Sequence, residues 1–211
     1  VQEKLTELLA GYSRFRKLYA SEESSVMEHL SFHGQKPEVM VIACSDSRVD
    51  PAIILQCHPG DLFVVRNVAA IIPPFEKDSG YHGTSAALEF GVRFLKVKHV
   101  ILLGHSQCGG IQTLLNKSSV MESDFIHKWV SILKNAREGC ESVDGCAKKA
   151  LTVSYKNCLS FPWIQSAVNE QRLQIHRWFF QIRTGEILTY LQSKNDYEPL
   201  QVMSSSSTLH A

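Results

Sequence analysis

Charge of one sign is what this sequence has least of: 22 Lys and Arg face 21 Asp and Glu, a net charge of +1. No basic face of the kind that neutralises phosphates is expected, so neither nucleic acid nor an anionic membrane surface is an expected partner. No apolar run approaches the ~20 residues of a membrane span. Val1-Gln2-Glu3-Lys4-Leu5 lacks the basic-then-apolar layout of a signal peptide, and a first residue other than Met points to trimming. The expected location is the cytoplasm, or an organelle if a targeting segment has been removed. Six cysteines in 211 residues are not a disulfide scaffold; those not needed for a metal read as thiols of a reducing compartment. No G-x-G-x-x-G occurs, which excludes a nucleotide-dependent dehydrogenase built around a similar Cys and His set. No internal repeat and no dividing linker is visible. The expectation is one domain over 1–211, with a helical arm at 1–33, an α/β core at 34–203 and a polar tail at 204–211.

Against these absences stand two short apolar runs, Val39-Met40-Val41-Ile42 and Val100-Ile101-Leu102-Leu103. Both have the length and branching of buried parallel strands. Residues 1–32 carry Leu5, Leu8, Leu9, Tyr12, Phe15 and Leu18 at helical spacing, a stripe that its own domain or a neighbouring chain must cover. Gly34 and Pro37 end that helical region. Further strands are expected at 62–66 and 97–103, and an alternating run at 173–182 turns at Thr184-Gly185-Glu186 into an antiparallel edge strand at 187–191. Helices are expected from a cap at Thr84 or Ser85, over 111–115, 124–137 and 146–157, and from Pro162. The fold class is α/β: a mainly parallel sheet flanked by helices, with an N-terminal helical arm and a C-terminal antiparallel edge strand.

The chemistry gathers where the two runs end. Ala43-Cys44-Ser45-Asp46-Ser47-Arg48 follows the first; Gly104-His105-Ser106-Gln107-Cys108-Gly109-Gly110 follows the other. Open α/β sheets place their sites beyond the carboxyl ends of the strands. Cys44, His105 and Cys108 can supply two thiolates and one imidazole, a three-ligand zinc site with one open position. The thiolates cancel the charge of the ion, so a zinc-bound water there needs help to lose its proton. Asp46 can give it: Arg48 offers a planar fork suited to holding a carboxylate. Held by Arg48, Asp46 orients the water; released, it can take the open position itself. The pair is both a support and a gate. Singly, a cysteine after a strand, an H-x-x-C and an Asp-x-Arg each have bland readings as core thiol, turn and ion pair; together at two strand ends they read as zinc. The remaining histidines read as surface or satisfied residues, with His82 the one to watch as a proton carrier.

These two motifs resemble those of the β-class carbonic anhydrases, and the resemblance extends through Pro59–Ala69 and Ile175–Phe179. It implies reversible hydration of CO₂ to bicarbonate by zinc-bound hydroxide, one Zn²⁺ per chain on Cys44, His105 and Cys108, and Asp46 with Arg48 as the working dyad. It implies a homodimer as the smallest unit, with tetramers or octamers built from it. Gly34-Gln35-Lys36-Pro37 is similar to the plant-type branch. By that match Gln35 bonds substrate across the dimer interface, Phe63, Val68 and Phe90 line the CO₂ pocket, and the Gly109 N–H meets the bicarbonate oxygen. Phe90 stands where that branch has a tyrosine, and Arg177 where His-Gly-Trp is usual. A hydrolase acting on CS₂ or COS and a zinc-dependent binding module are the competing classes. Asp46, Arg48 and Gln35 argue against the second, since a structural zinc needs none of them.

Overall fold

The computed structural model describes residues 2–21, 25–78, 80–116 and 123–201. The expected polar tail at 204–211 lies outside the described residues. Six strands form one sheet: β1 (Val39–Cys44), β2 (Leu62–Asn67), β3 (His99–His105), β4 (Gln174–Phe180), β5 (Ile187–Leu191) and β6 (Asp196–Pro199), in the order β2-β1-β3-β4-β5-β6. β2, β1, β3 and β4 pair in parallel, β5 is antiparallel to β4, and β6 is antiparallel to β5. β1 and β3 are central and covered on both faces. Met40, Val41, Ile42 and Ala43 are fully buried, as are Val100 and Leu102, which is why both runs are continuously apolar rather than alternating. From β1 the chain returns to β2 on one side, while β3 lies on the other. The carboxyl ends of β1 and β3 therefore flank the point where strand order reverses, where such sheets leave a crevice.

The helical region at the start is two helices, α1 (Gln2–Tyr19) and α2 (Val26–His33). Ser25 caps α2, its hydroxyl accepting from the Glu28 N–H at 3.3 Å, and Gly34 at φ 69° ends it. The apolar stripe of α1 stays in solvent: Leu5, Leu8, Leu9, Tyr12 and Leu18 are all exposed. After β1, Asp50 caps the short α3 (Pro51–Ile54) by accepting from Ala52 N–H at 3.0 Å.

Several boundaries differ from expectation. α4 (Gly83–Glu89) starts at Gly83 without a side-chain cap, because the Thr84 hydroxyl instead accepts from Asn67 Nδ2 at 3.2 Å. It runs on as a π-helical turn over Phe90–Leu95, stopped by Lys96 at φ 58°. β3 begins and ends two residues later than the apolar pattern suggested, so His105 is its last residue and not part of a loop. α5 (Gly109–Leu115) follows directly. The helix expected over 124–137 divides into α6 (Ile126–Val130) and a 3₁₀ turn, Ser131–Ala136. α7 (Val143–Leu159) begins earlier than expected, since Ser142 caps it through the Gly145 N–H at 3.1 Å. α8 (Pro162–Asn169) has proline at its first turn, as expected. β6 was not expected.

α7 lies on the sheet beside β3. Its Leu151 comes so close that a Cβ at Gly104 would stand 2.9 Å from Leu151 Cδ1. Arg177, where the resemblance would have glycine, is buried on β4. Its guanidinium lies 3.4 Å from the Tyr190 ring centroid and 4.6 Å from that of Tyr155, and donates to Thr152 Oγ1 at 3.1 Å. Two aromatic faces and a hydroxyl make that burial tolerable.

Candidate metal centre

The ends of β1 and β3 bring three side chains together. Cys44 closes β1 in register with Asn67 of β2. His105 closes β3 in register with Phe180 of β4. The turn between β3 and α5 is pinned by Ser106, whose N–H donates to Phe180 O and whose hydroxyl accepts from Ile182 N–H, both at 3.0 Å. Gln107 then adopts φ 55°, an uncommon left-handed residue that doubles the chain back. Cys108 thereby returns to the site at the cap position of α5. Gly110 permits the close approach: a Cβ there would meet Val68 Cγ1 at 2.7 Å and Ala69 Cβ at 2.9 Å.

The Cys44, His105 and Cys108 ligand atoms all lie within 4.8 Å of one another and are buried. The two sulfurs are 3.9 Å apart. The hydrogen bond from Cys108, helped by His105 against the cost of burial, holds the Cys44 thiol down to about 4. The same bond, with burial, pushes the Cys108 thiol up. His105 feels burial against its charged form, yet the Cys44 thiolate outweighs it and raises the imidazole. Its Nδ1–H donates to Ser106 O at 2.9 Å. Its Nε2 is buried without a hydrogen-bond partner, a costly state for a ring nitrogen. An unpartnered nitrogen facing two thiols is the donor set of a soft or borderline divalent cation, so these residues fit a metal.

Asp46 stands over this triangle, its Oδ2 3.9 Å from His105 Nε2. Arg48 grips it twice, Nε to Oδ1 at 2.9 Å and Nη2 to Oδ2 at 2.7 Å, and the Arg48 N–H adds a third bond to Oδ1 at 3.0 Å. Those bonds hold the carboxyl well below the usual carboxylate range. Gly109, the first residue of α5, has open space where a Cβ would be. The Phe63 and Phe90 rings meet at 5.8 Å between centroids. Val68 and Phe90 are exposed, as is Gln35 ahead of β1. His82 is paired with Asp78 at 2.5 Å on the surface.

Some supporting residues escaped the sequence reading. Arg66, at the end of β2, donates to Cys44 O at 3.0 Å, Asp46 O at 2.7 Å and Asp50 Oδ2 at 2.7 Å, tying down the backbone of the first motif. An arginine directly after the apolar run Leu62–Val65 was the available signal. Asn67 bridges Ile71 O and N–H, at 2.9 and 2.7 Å, around Ala69 and Ala70, both at positive φ. Asp144 accepts the Gln107 N–H at 2.7 Å, which no spacing in the sequence announces.

Fold and site define a class: an α/β protein with a Cys₂His group able to hold a metal at the sheet's switch point and a carboxylate–guanidinium pair beside it. The sequence profile of the carbonic anhydrases matches residues 39–187, and the chain belongs to that family, in its β class. A carbonic anhydrase of Synechocystis is 34% identical over 197 residues, 88% of this chain and 71% of that one. Beta carbonic anhydrase 5, chloroplastic, of Arabidopsis thaliana is 38% identical over 177 residues, 79% of this chain and 58% of that one. The structure of the β-carbonic anhydrase CcaA superposes with a TM-score of 0.85 at 32% identity, covering 95% of this chain and 94% of that one. One of two tetrameric β-carbonic anhydrases of Sordaria macrospora gives 0.72 at 31% identity, covering 89% and 94%.

Proposed function

We propose that this carbonic anhydrase hydrates CO₂ reversibly to bicarbonate and a proton with one zinc ion per chain, held by Cys44, His105 and Cys108. The observation that carries the reading is the partnerless His105 Nε2, buried among the two thiols and 3.9 Å from the Asp46 carboxylate. Zinc held by these three residues would supply a Lewis acid that eases deprotonation of a water. The side chains do the rest. Asp46, ionised and able only to accept, holds and orients a proton of the attacking water. Arg48 keeps that carboxylate ionised and holds both of its oxygens in place. The Phe63, Val68 and Phe90 surfaces receive the apolar substrate. Gln35 and the Gly109 N–H bond its oxygens, which carry negative charge once the new C–O bond forms. The phenyl ring of Phe90 gives an apolar wall without a donor.

Gln35, Val68 and Phe90 are exposed in one chain, and the apolar stripe of α1 is unpartnered by its own core. Both support a homodimer as the working unit, with a tetramer like the Sordaria enzymes, or an octamer, as further assembly. The chain acts as one domain, arm 1–33 and core 34–203. Among the described residues no helix is long and apolar enough to cross a membrane. A cytoplasmic or organellar setting belongs to the same proposal, supported by six free thiols. Stopped-flow CO₂ hydration tests the function, with Asp46→Asn and Cys108→Ser as controls. A zinc-loaded wild-type chain without activity at alkaline pH would reject it.

A further inference from the structure

We propose that Asp144 is a positioning residue for the metal centre, acting on His105 through the single peptide that joins Ser106 to Gln107. The C=O of that peptide, Ser106 O, accepts the His105 Nδ1–H at 2.9 Å. Its N–H, on Gln107, donates to Asp144 Oδ1 at 2.7 Å. The path runs carboxylate, peptide N–H, peptide C=O, imidazole Nδ1–H, and ends at the orphaned Nε2. Metal-bound histidines commonly give their other N–H to a carboxylate or a carbonyl, which fixes the tautomer and makes the ligating nitrogen more basic. Here the two devices are joined in series. A carboxylate accepting from a peptide N–H draws electron density toward that peptide's oxygen, and hydrogen bonds in a chain strengthen one another. The Ser106 oxygen becomes the better acceptor, Nδ1 keeps its proton, and Nε2 stays a lone-pair donor.

The same bond fixes the turn. Gln107 sits at φ 55°, an unfavourable region for a residue with a side chain, and must be held there by partners. Asp144 holds its N–H and Arg48 Nη2 holds its C=O at 3.3 Å. Asp144 lies in the first turn of α7, whose cap is the neighbouring Ser142. Ser142 bonds Gly145 and not the metal turn, so the cap and the relay can be separated by mutation.

The inference rests on the metal site proposed above, and the test separates the two. Zinc content of the wild-type chain is read first and bears on the metal site alone. Zinc affinity is then measured by chelator competition for wild type, Asp144→Asn, Asp144→Ala and Ser142→Ala, with circular dichroism and thermal melts beside it. Asp144→Ala is expected to weaken zinc binding about 10- to 100-fold. Asp144→Asn, which keeps an acceptor but not the charge, should fall between it and wild type. Ser142→Ala should lower the melting temperature while leaving zinc affinity within about twofold of wild type, on the precedent of cap losses. In ¹⁵N-edited NMR the His105 Nδ1–H resonance, in the metal-free or loaded chain, should move upfield in Asp144→Asn. Unchanged affinity in Asp144→Ala would overturn the proposal, as would an equal loss in Ser142→Ala, which would assign the effect to α7. Should Asp144→Ala not fold, Asp144→Asn decides: an unmoved resonance with wild-type affinity overturns it.

Discussion

Arg48 and Arg66 do different work with the same guanidinium. Arg48 grips the Asp46 carboxylate; Arg66 grips carbonyls of the backbone that carries Cys44 and Asp46. Arg48→Ala should therefore retain one zinc per chain and lose hydration activity about 10- to 100-fold, because Asp46 is freed toward the metal. Metal analysis beside stopped-flow assays checks this, and full activity would remove the gate while leaving the ligands. Arg66→Met should instead destabilise the chain by roughly 1–3 kcal/mol, leaving part-buried acceptors unpaired; urea denaturation reads it. A third prediction concerns pH. Burial, with His99 beside it at 3.1 Å, holds His176 below the ordinary histidine value. The folded chain therefore prefers neutral His176. The stability this contributes is complete above about pH 6.5, the unfolded value, and is lost as pH falls through the lower folded value. The melting temperature should drop over that acid range, and less steeply in His176→Gln. Legibility at this scale followed spacing. Cys44, His105 and Cys108 could be read because two short motifs each end a buried strand. Asp144 could not, because only α7 packing beside β3 brings it to Gln107.

Elements were legible where one physical signal dominated. β1 and the Val100–Leu103 stretch of β3 are continuously apolar since both faces are covered, and Gly34 and Pro162 end and start helices for backbone reasons. The errors came where tertiary contacts overrode local preference. The Thr84 hydroxyl accepts from Asn67 Nδ2 instead of capping α4. β6 is short, polar and ends in Pro199, so it carries no alternating pattern, and it forms only because β5 offers an edge. The turn over Val68–Ala70 also had no local signature, yet it shapes the site. Ala69 there is at φ 66° and meets α5 where Gly110 has no side chain. Gly110→Ala would put a methyl 2.9 Å from Ala69 Cβ and 3.3 Å from Ala69 N. The backbone must then move, and overpacking of this kind costs about 1–3 kcal/mol. Since Cys108 is the cap residue of α5, moving that helix moves a proposed metal ligand. Gly110→Ala should lower both the melting temperature and the zinc content. Gly109→Ala, with open space at that Cβ, should keep both. A Gly110→Ala protein with full zinc would show that α5 and the 68–70 turn need not touch.

For the molecule as a whole, the unsolved quantity in one chain is the apolar surface of α1. Leu8 is 62% and Leu18 71% exposed, and covering such a side chain is worth about 1.5–3 kcal/mol. A helix of 18 residues that is exposed along most of its length gains little of the tertiary packing that stabilises most helices in proteins, so the stripe is best explained by a surface it covers on another copy. Gln35, Val68 and Phe90 are also exposed, so assembly and catalysis should fail together. The variant Leu8→Glu/Leu18→Glu places charges in that contact without touching the sheet. Sedimentation velocity should show a shift to smaller species at concentrations where wild type is a dimer or larger. Zinc content should stay at one per chain, since Cys44, His105 and Cys108 come from β1, β3 and the turn before α5 of a single chain. Activity per zinc should fall as the exposed substrate residues lose their cover. Equal sedimentation of variant and wild type would show that α1 is not the interface. A monomer with undiminished activity per zinc would show that one chain completes the substrate pocket, and would remove Gln35 from its proposed role across the dimer.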